Sequence, residues 1–312
     1  MNGFLAAALM LGGLAVIAAV WGILIERQLF VVRRDSVRVL PAGSKPINVL
    51  HVSDIHMAPW QGRKQRWLSH TLRQLAAGGQ FDLVVNTGDN VGHERGIRPV
   101  LDSLAPAMKL PGVFVNGSND YYSPVLRNPF AYLSGPSERS HGKPLATKEM
   151  TDEFERAGWL NVNNRGAVAE VGGLSIGFIG VDDAHDGLAE IDSLSVQAKA
   201  NAKLAKAQLD LTIGVTHAPY LSVVHAMADA GASIVFAGHT HGGQVAVPGF
   251  GALVTNCDLP RQFAKGLSAW SSERGNTTIL NVCAGLGHSI FAPVRFAVRP
   301  ELRLLTLLPI EG

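Results

Sequence analysis

The sequence predicts an α/β fold that follows one long apolar helix. Three observations indicate this class: short β-branched runs alternate with amphipathic segments, polar clusters follow the ends of these runs, and an uncharged apolar stretch lies near the start of the chain. Buried strands that alternate with helices are typical of a parallel sheet covered by helices. No fixed-period repeat is visible, which argues against a solenoid or a propeller.

The composition is that of a folded, nearly neutral protein. Of 312 residues, 47% are apolar, and 27 basic residues stand against 25 acidic ones. The chain is therefore long enough and apolar enough for a sizeable core. The basic residues are dispersed and form no basic stripe, so we expect no nucleic-acid partner. Cys257 and Cys283 have no close-spaced partner, so we expect buried thiols, with one bridge between them as the alternative.

The apolar run from Phe4 to Ile25 has the length of a helix that crosses a bilayer. A cleaved signal sequence is the alternative, but no basic segment precedes the run and no small-residue cleavage site follows it. Basic side chains flank the run on its C-terminal side, at Arg27, Arg33, Arg34 and Arg38. By the positive-inside rule we expect a single-pass protein of the cell membrane, with the catalytic domain on the cytoplasmic side.

A polar connector over residues 26–46 is predicted next, and a single domain over residues 47–309 follows it. Five apolar runs predict buried strands: Ile47–Val52, Leu83–Val85, Val113–Val115, Ile213–Val215 and Ile234–Phe236. Four segments predict helices: Lys64–Ala77, Ile97–Met108, Leu194–Leu209 and Leu221–Ala230. Further strands are predicted over Leu174–Val181, Thr278–Val282, Phe291–Val298 and Leu302–Leu308.

Two loops receive specific interpretations. The segment from Ser123 to Pro144 is interrupted by prolines, glycines and serines, which predicts a long loop. It is either a lid or substrate-contacting insertion, or a surface excursion, and both interpretations stay open. The sequence from Asp182 to His185 follows a predicted strand, and we interpret it as a turn with ordinary turn and capping residues, with a role in shaping the pocket as the alternative.

Potential metal ligands follow five of the predicted strands. They are Asp54 and His56, Asp89, Asn119 and Asp120, His217, and His239 with His241. Because the carboxyl ends of strands form the ligand crevice of an open α/β sheet, we expect these side chains to meet at one edge. Imidazole nitrogen together with carboxylate or amide oxygen suits Mn, Fe, Zn, Ni or Co, and the lack of thiolate disfavours a structural zinc site.

The order D-x-H, G-D-N, a third G-x-x-D motif, H and G-H-T-H resembles the calcineurin-like metallophosphoesterases. The resemblance extends from Ile47 to about Leu308. The stretches GHTHGGQV from Gly238 and FAPVRFAVRP from Phe291 are most similar to the membrane-associated bacterial branch, which includes YkuE-like and UDP-2,3-diacylglucosamine pyrophosphatase-like members. This resemblance implies a four-layer α/β/β/α sandwich and two divalent metal ions, with manganese, iron or zinc foremost.

The resemblance also implies two metal sites that share the carboxylate of Asp89. The remaining ligands of the first site are Asp54, His56 and His241, and those of the second site are His217, His239 and an asparagine. In such a centre, two ions about 3.5–4 Å apart share a bridging hydroxide, which attacks phosphorus in line. The implied activity is hydrolysis of a phosphoester or phosphoanhydride bond. We expect a phosphorylated small-molecule or lipid-linked substrate, the lipid being suggested by the N-terminal helix.

The third motif departs from the family pattern. Aligned without gaps, Ser118 stands where the family has its metal-binding asparagine, and Asn119 stands where it has histidine. We expect Asn119 to bind a metal because an amide oxygen is a better ligand than a neutral hydroxyl, with Ser118 as the alternative. An amide cannot act as a general acid, so Asp120 or His93 is a candidate to protonate the leaving group.

The missing histidine is also compatible with two hypotheses that need no substitute acid. One is a substrate whose leaving group needs little protonation, such as a phosphate, which favours phosphoanhydrides and aryl phosphates over alkyl phosphates. The second is a noncatalytic or weakly active metal-binding scaffold of the same fold. A β-lactamase-like metallohydrolase is a further class, but the H-x-H-x-D-H cluster expected of it is absent, because Gly242–Val245 follows His241.

Overall fold

Two six-stranded sheets form the centre of the protein. The structure is a computed structural model that describes residues 3–125, 141–205, 208–288 and 290–311. The sheets pack face to face, and helices cover the outer face of each sheet. This arrangement confirms the predicted four-layer α/β/β/α sandwich, with one apolar helix in front of it.

Each sheet combines a parallel centre with antiparallel neighbours. The strands of the first sheet are β1 (Val31–Leu40), β2 (Ile47–Val52), β3 (Leu83–Asn86), β4 (Gly112–Phe114), β5 (Leu160–Asn161) and β14 (Glu301–Pro309). Those of the second sheet are β6 (Gly166–Val171), β7 (Leu174–Gly180), β8 (Leu211–Val215), β9 (Ile234–Ala237), β12 (Gly266–Ser271) and β13 (Thr277–Val282). A short hairpin consists of β10 (Ala246–Val247) and β11 (Gly251–Ala252).

The spatial order of the first sheet is β1-β14-β2-β3-β4-β5, and that of the second is β12-β13-β9-β8-β7-β6. Strands β2, β3, β4 and β5 run parallel to one another, and so do β7, β8, β9 and β13. The antiparallel pairs are β14 with β2, β6 with β7, and β12 with β13. The parallel strands of each sheet therefore end at a common edge.

The described part of the chain contains seven α-helices. They are α1 (Gly3–Val20), α2 (Gly62–Ala77), α3 (Ile97–Leu104), α4 (Ser118–Tyr121), α5 (Thr147–Arg156), α6 (Leu194–Leu204) and α7 (Leu221–Asp229). Helices α2, α3 and α5 share a core with the outer face of the first sheet, and α6 and α7 do so with the second.

Alternation along β2 shows why the layers form. Val49 is fully buried between the two sheets, in the same core as Phe178 and Phe236. Leu50 points to the opposite face and packs in the core that contains Leu68 of α2. Because successive side chains of a strand point to opposite faces, an uninterrupted apolar run supplies both cores at once.

The N-terminal helix continues through a π-helical turn and a 3₁₀ turn to Gln28. Among the described residues, Gly3–Gln28 is the one helix that is long and apolar enough to cross a membrane, with a mean hydropathy of 2.5. A signal sequence would meet the same criterion. The base of this helix contacts the domain: the backbone N–H of Arg295 donates to Gly22 O at 3.2 Å, and that of Ala297 donates to Glu26 Oε2 at 2.9 Å.

Two predicted elements differ from the structure. The interval predicted as a connector contains β1, which pairs in parallel with β14 at the sheet edge. Exposed Arg33, Arg34 and Asp35 interrupt its alternation, which is why the sequence pattern does not indicate a strand. The prediction of a strand over Phe291–Val298 is wrong, because Pro293 has no N–H and the strand-type pairing of this described segment is limited to one isolated bridge, between Phe296 and Val245.

Candidate metal centre

Side chains that follow four parallel strands meet at one edge of the two sheets. The ligand atoms of Asp54, His56 and His241 lie within 4.8 Å of one another, and so do those of Asp54, Asp89 and His217. One oxygen, Asp89 Oδ2, lies 3.3 Å from His56 Nε2 and 3.5 Å from His217 Nε2. The same carboxylate oxygen therefore faces both groups of side chains.

His217 has the tautomer that a metal ligand needs. Its Nδ1 lies 2.8 Å from the carbonyl oxygen of Thr87, which can only accept, so Nδ1 carries a hydrogen. Its Nε2 is buried and has no hydrogen-bond partner in the described part of the chain. A divalent ion could take the place of a proton on this nitrogen, and the carbonyl on the other nitrogen would fix the ring. The nitrogen and oxygen donors gathered here therefore fit a divalent metal.

The protonation of His217 depends on its neighbours. Burial lowers the pKa of this imidazole, but the adjacent Asp89 carboxylate more than offsets that effect and holds the pKa well above its ordinary value. Conversely, although burial raises it, the pKa of Asp89 lies well below its usual range because of His217 and His56. A cation is thus favoured between these two side chains, and a proton and a metal ion compete for the same nitrogen.

His239 lies beside these groups. It does not belong to either set of ligand atoms within 4.8 Å, but its ring meets that of His217 edge-on, with 5.2 Å between centroids. Its Nε2 lies 3.0 Å from the carbonyl oxygen of Asn256, which assigns the hydrogen to Nε2 and leaves the lone pair on Nδ1. Its backbone N–H donates to Asp54 Oδ2 at 3.0 Å.

The backbone at this edge adopts an unusual conformation. Among the described residues, positive φ angles between 42° and 66° occur at five of the predicted ligands, namely Asp54, His56, Asp89, His239 and His241. Residues other than glycine rarely adopt positive φ angles, and backbone strain of this kind is concentrated at functional sites. The turns after β2, β3 and β9 are therefore shaped to direct ligand side chains toward one point.

Two glycines permit the close packing of these turns. A Cβ at Gly117 would collide with the Asp89 carboxylate, and a Cβ at Gly238 would collide with Ser53 Oγ and Asp54 Oδ2. Only glycine allows the backbone to approach the carboxylates so closely.

A chain of hydrogen bonds runs between the sheets to Asp54. Asn281 Nδ2 donates to His51 Nδ1 at 3.1 Å, and His51 Nε2 then donates to Thr87 Oγ1 at 3.0 Å. Thr87 Oγ1 donates to Ser53 Oγ at 2.7 Å, and Ser53 Oγ donates to Asp54 Oδ2. Because the amide of Asn281 can only donate through nitrogen, every donor in this chain points toward Asp54.

Both residues of the altered third motif lie at the site. The backbone N–H of Asn119 donates to Asp89 Oδ1 at 2.9 Å, and its Nδ2 donates to Asp89 Oδ2 at 2.7 Å. A half-turn of this amide would direct its oxygen toward the same place. Ser118 lines the adjoining cavity together with Asn119, and which of the two would bind a metal stays a prediction.

The two predicted proton donors lie in different surroundings. Asp120 is fully buried, and its carboxylate accepts the backbone N–H groups of Asn90 at 2.8 Å, Val91 at 3.2 Å and Gly117 at 3.1 Å. Burial raises its pKa to about 7. His93 Nδ1 accepts the backbone N–H of Arg95 at 3.1 Å, and His93 is absent from the described lining of the cavity. The proton-donor roles of both remain untested predictions.

A cavity of about 450 Å³ opens over the ligand cluster. His56, Asp89, His239 and His241 line its floor. One wall is apolar and contains Val245, Leu253, Val254, Phe291 and Val294. Another wall is polar and contains Tyr122, His141, His185 and Asp186. The described ends of the predicted Ser123–Pro144 loop contribute to the lining, whereas residues 126–140 lie outside the described residues.

The polar wall contains residues that the sequence did not assign to the site, although a pocket-shaping role was the alternative for the segment that ends at His185. Asp183 accepts the backbone N–H groups of His185 at 3.2 Å and Asp186 at 3.0 Å, as a turn residue does. The same turn brings the His185 ring to 4.8 Å from that of His239. The position of this turn could have indicated its place at the site. It follows β7, which lies beside and parallel to β8, the strand that precedes His217.

The family assignment agrees with this geometry. Residues 47–243, more than half of the chain, match the family described as calcineurin-like phosphoesterase. The chain belongs to the calcineurin-like phosphoesterase family. As a calcineurin-like phosphoesterase it is a metal-dependent phosphoester hydrolase, and the family uses dimetal centres.

Three solved structures that are similar to this phosphoesterase share low sequence identity with it. TT1561 of Thermus thermophilus is 14% identical, with 78% of this chain and 91% of that chain covered and a TM-score of 0.45. Haemophilus influenzae NAD nucleotidase (NadN) is 12% identical, with 78% and 46% covered and a TM-score of 0.43. Purple acid phosphatase PPD1 from yellow lupin (Lupinus luteus) seeds is 14% identical, with 82% and 46% covered and a TM-score of 0.43. The chain thus spans about half the length of the last two, and no curated protein sequence matches it.

Proposed function

We propose that this phosphoesterase is a membrane-anchored enzyme of the membrane-associated bacterial branch. Its anchor is the apolar segment of residues 4–25, and its catalytic domain, residues 47–309, works at the cytoplasmic face. Its substrate is a phosphorylated small molecule or a lipid-linked phosphate. The observation that carries the proposal is the position of Asp89 Oδ2 between His56 Nε2 and His217 Nε2, at 3.3 and 3.5 Å.

In this proposal the ligands fall into two sets around Asp89. Asp54, His56 and His241 hold the first ion, and His217, His239 and Asn119 hold the second. Two divalent ions, with manganese, iron or zinc foremost, would supply the acidity that activates water and the positive charge that offsets the phosphoryl oxygens.

Neighbouring groups of the protein hold the proposed metal ligands in position. The carbonyl oxygens of Thr87 and Asn256 fix the tautomers of His217 and His239. Two donors, Ser53 Oγ and the backbone N–H of His239, hold the Asp54 carboxylate in place. Donors that are fixed before substrate binds need no reorganisation during the reaction.

A buried arginine lies behind the first ligand set. The Arg295 guanidinium donates to the carbonyl oxygens of Ala284 at 2.7 Å and Gly285 at 3.1 Å, and its Nη2 lies 3.2 Å from His241 Nδ1. Although its pKa is lowered to about 10 by burial, this side chain keeps its charge at neutral pH. It therefore adds positive potential at the floor of the cavity.

The apolar wall of the cavity supports the lipid-linked part of the proposal. Val294 belongs to this wall and also packs against Gly22 at the base of the apolar helix. Phe291, in the same wall, is 41% exposed. A wall of this kind suits a substrate that combines a phosphate with an apolar group, because burial of apolar surface would contribute to its binding.

A metal-dependent hydrolysis assay on the full chain tests the proposal. We expect manganese to stimulate hydrolysis of a phosphate ester, and Asp89→Asn to abolish it. Asp102→Asn is the matched control, because Asp102 is an exposed partner of Arg98 on α3. Metal binding without stimulated hydrolysis of any ester would instead support the scaffold alternative.

A further inference from the structure

Hydrolysis of an ester with a poor leaving group, such as an alkyl phosphate, requires a proton donor that the third motif does not supply. Asn119 occupies the position at which the family has histidine, and an amide has no acidic proton to give. The Asp120 carboxylate is fully buried and accepts three backbone N–H groups, which keeps it behind the turn rather than in the cavity. A donor must therefore come from another wall of the cavity.

The polar wall holds an imidazole paired with a carboxylate. His141 Nε2 lies 3.2 Å from Asp186 Oδ2. Apart from this ion pair, that buried oxygen has no partner in the described part of the chain. The Asp186 side chain is only 5% exposed, whereas that of His141 is 42% exposed. A buried carboxylate of this kind anchors the imidazole, and the imidazole keeps access to solvent.

Stacking fixes the plane of the imidazole. The Tyr122 ring lies nearly parallel to that of His141, with 4.2 Å between centroids and 19° between planes. Tyr122 follows Asn119 closely, at the end of the short helix that presents it. His141 thus packs against the residue that follows α4, the helix in which the family histidine would lie.

We propose that His141 is the general acid of this enzyme and that Asp186 orients it. The inference rests on the proposed phosphoesterase function. The doubly protonated ring donates to Asp186 through Nε2 and to the leaving oxygen of the substrate through Nδ1. As the oxygen of water bonds to phosphorus, the bond from phosphorus to the leaving oxygen breaks. The leaving oxygen keeps the electron pair and takes the Nδ1 proton. The attacking water releases one proton to solvent, and the ring regains one proton from solvent.

His185 is a second imidazole of this wall, and its contacts favour a different role. Its ring lies 4.8 Å from that of His239, and its Nδ1 lies 3.0 Å from the hydroxyl of Tyr220. These contacts hold it against a predicted metal ligand. His141 instead contacts Asp186 and Tyr122, which are not predicted ligands, and its partly exposed ring lines the cavity.

The dependence of rate on the leaving group tests this proposal. The full-length protein and its His141→Gln variant are compared on p-nitrophenyl phosphate, phenyl phosphate and an alkyl phosphate. A nitrophenolate leaves without protonation, whereas an alkoxide requires it. We expect His141→Gln to lose about 100-fold to 10,000-fold in kcat on the alkyl phosphate and less than about tenfold on the nitrophenyl ester. Asp186→Asn should show the same trend with smaller losses.

Controls separate chemistry from folding. His70→Gln, an exposed histidine on α2, is the matched substitution and should leave all three rates unchanged. Elemental analysis should show unaltered metal content in His141→Gln, because the residue is not a ligand.

The outcomes are distinguishable. Equal losses on all three esters, or no loss on the alkyl phosphate, would overturn the assignment of His141 while leaving the phosphoesterase function intact. A full-length protein that hydrolyses none of the three esters with manganese would overturn both.

Discussion

His217 lies with its Nδ1 2.8 Å from the carbonyl oxygen of Thr87 and its Nε2 3.5 Å from the carboxylate of Asp89. Thr87 follows β3 in the first sheet, and His217 follows β8 in the second. The contact that joins the two sheets thus also sets the tautomer of a proposed ligand. Packing of the two sheets against each other therefore also positions this ligand.

Metal affinity should rise with pH. Despite its burial, His217 has a pKa held well above the ordinary value by Asp89, so protonation of Nε2 is favoured when no metal is bound. Metal binding must release this proton, so the affinity increases as pH rises and levels off above the raised pKa. Calorimetric titration of manganese in buffers of different ionisation enthalpy measures the proton release. An affinity that does not change across the neutral range would contradict this expectation.

Ser53→Ala should weaken the metal site without unfolding the domain. It removes the last donor in the hydrogen-bond chain that reaches Asp54. Loss of a group that orients a ligand typically lowers metal affinity by about 10-fold to 100-fold. Titration of manganese into the variant checks this, with Ser36→Ala on the exposed face of β1 as the matched control. Unchanged affinity in Ser53→Ala would show that the chain does not position Asp54.

Gly238→Ala should disrupt the first set of ligands. The added Cβ would meet Ser53 Oγ and Asp54 Oδ2, so the turn after β9 must move away from the carboxylate. We expect bound manganese, counted by elemental analysis, to fall below the wild-type value. Gly62→Ala is the control, because a Cβ there meets only the flexible end of Arg66. Full metal content in Gly238→Ala would rule out this packing constraint.

Asp120→Ala should reduce stability rather than affect one class of substrate. The substitution leaves three buried backbone N–H groups without their acceptor. Each unsatisfied group costs about 1–3 kcal/mol, so we expect the free energy of unfolding to fall by at least about 3 kcal/mol. Denaturant unfolding measures the change. If Asp120→Ala kept full stability but lost activity only on alkyl phosphates, Asp120 rather than His141 would be the general acid.

The sequence predicted those parts of the fold that depend on local composition. The runs that became β2, β3, β8 and β9 are mostly apolar because they are buried on both faces. Strand β1 was not predicted, because it lies at a sheet edge where Arg33, Arg34 and Asp35 are exposed. Partnership with β14, almost at the other end of the chain, makes this segment a strand.

Candidate site residues could be predicted where strand ends bring them together. Asp54, Asp89 and His217 closely follow buried strands, so a topological rule places them at one edge. The positive φ angles of Asp54, His56 and Asp89 could not be foreseen, because none of these is glycine. The pairing of His141 with Asp186 depends on the paths of two loops, and no periodic pattern in the sequence records such paths.

Anomalous scattering from a crystal of the full chain grown with manganese tests the dimetal centre most directly. We expect two peaks about 3.5–4 Å apart, on either side of Asp89 Oδ2, one beside His56 and one beside His217. A single peak, or peaks that lie away from Asp89, would contradict the assignment of a dimetal centre to these residues.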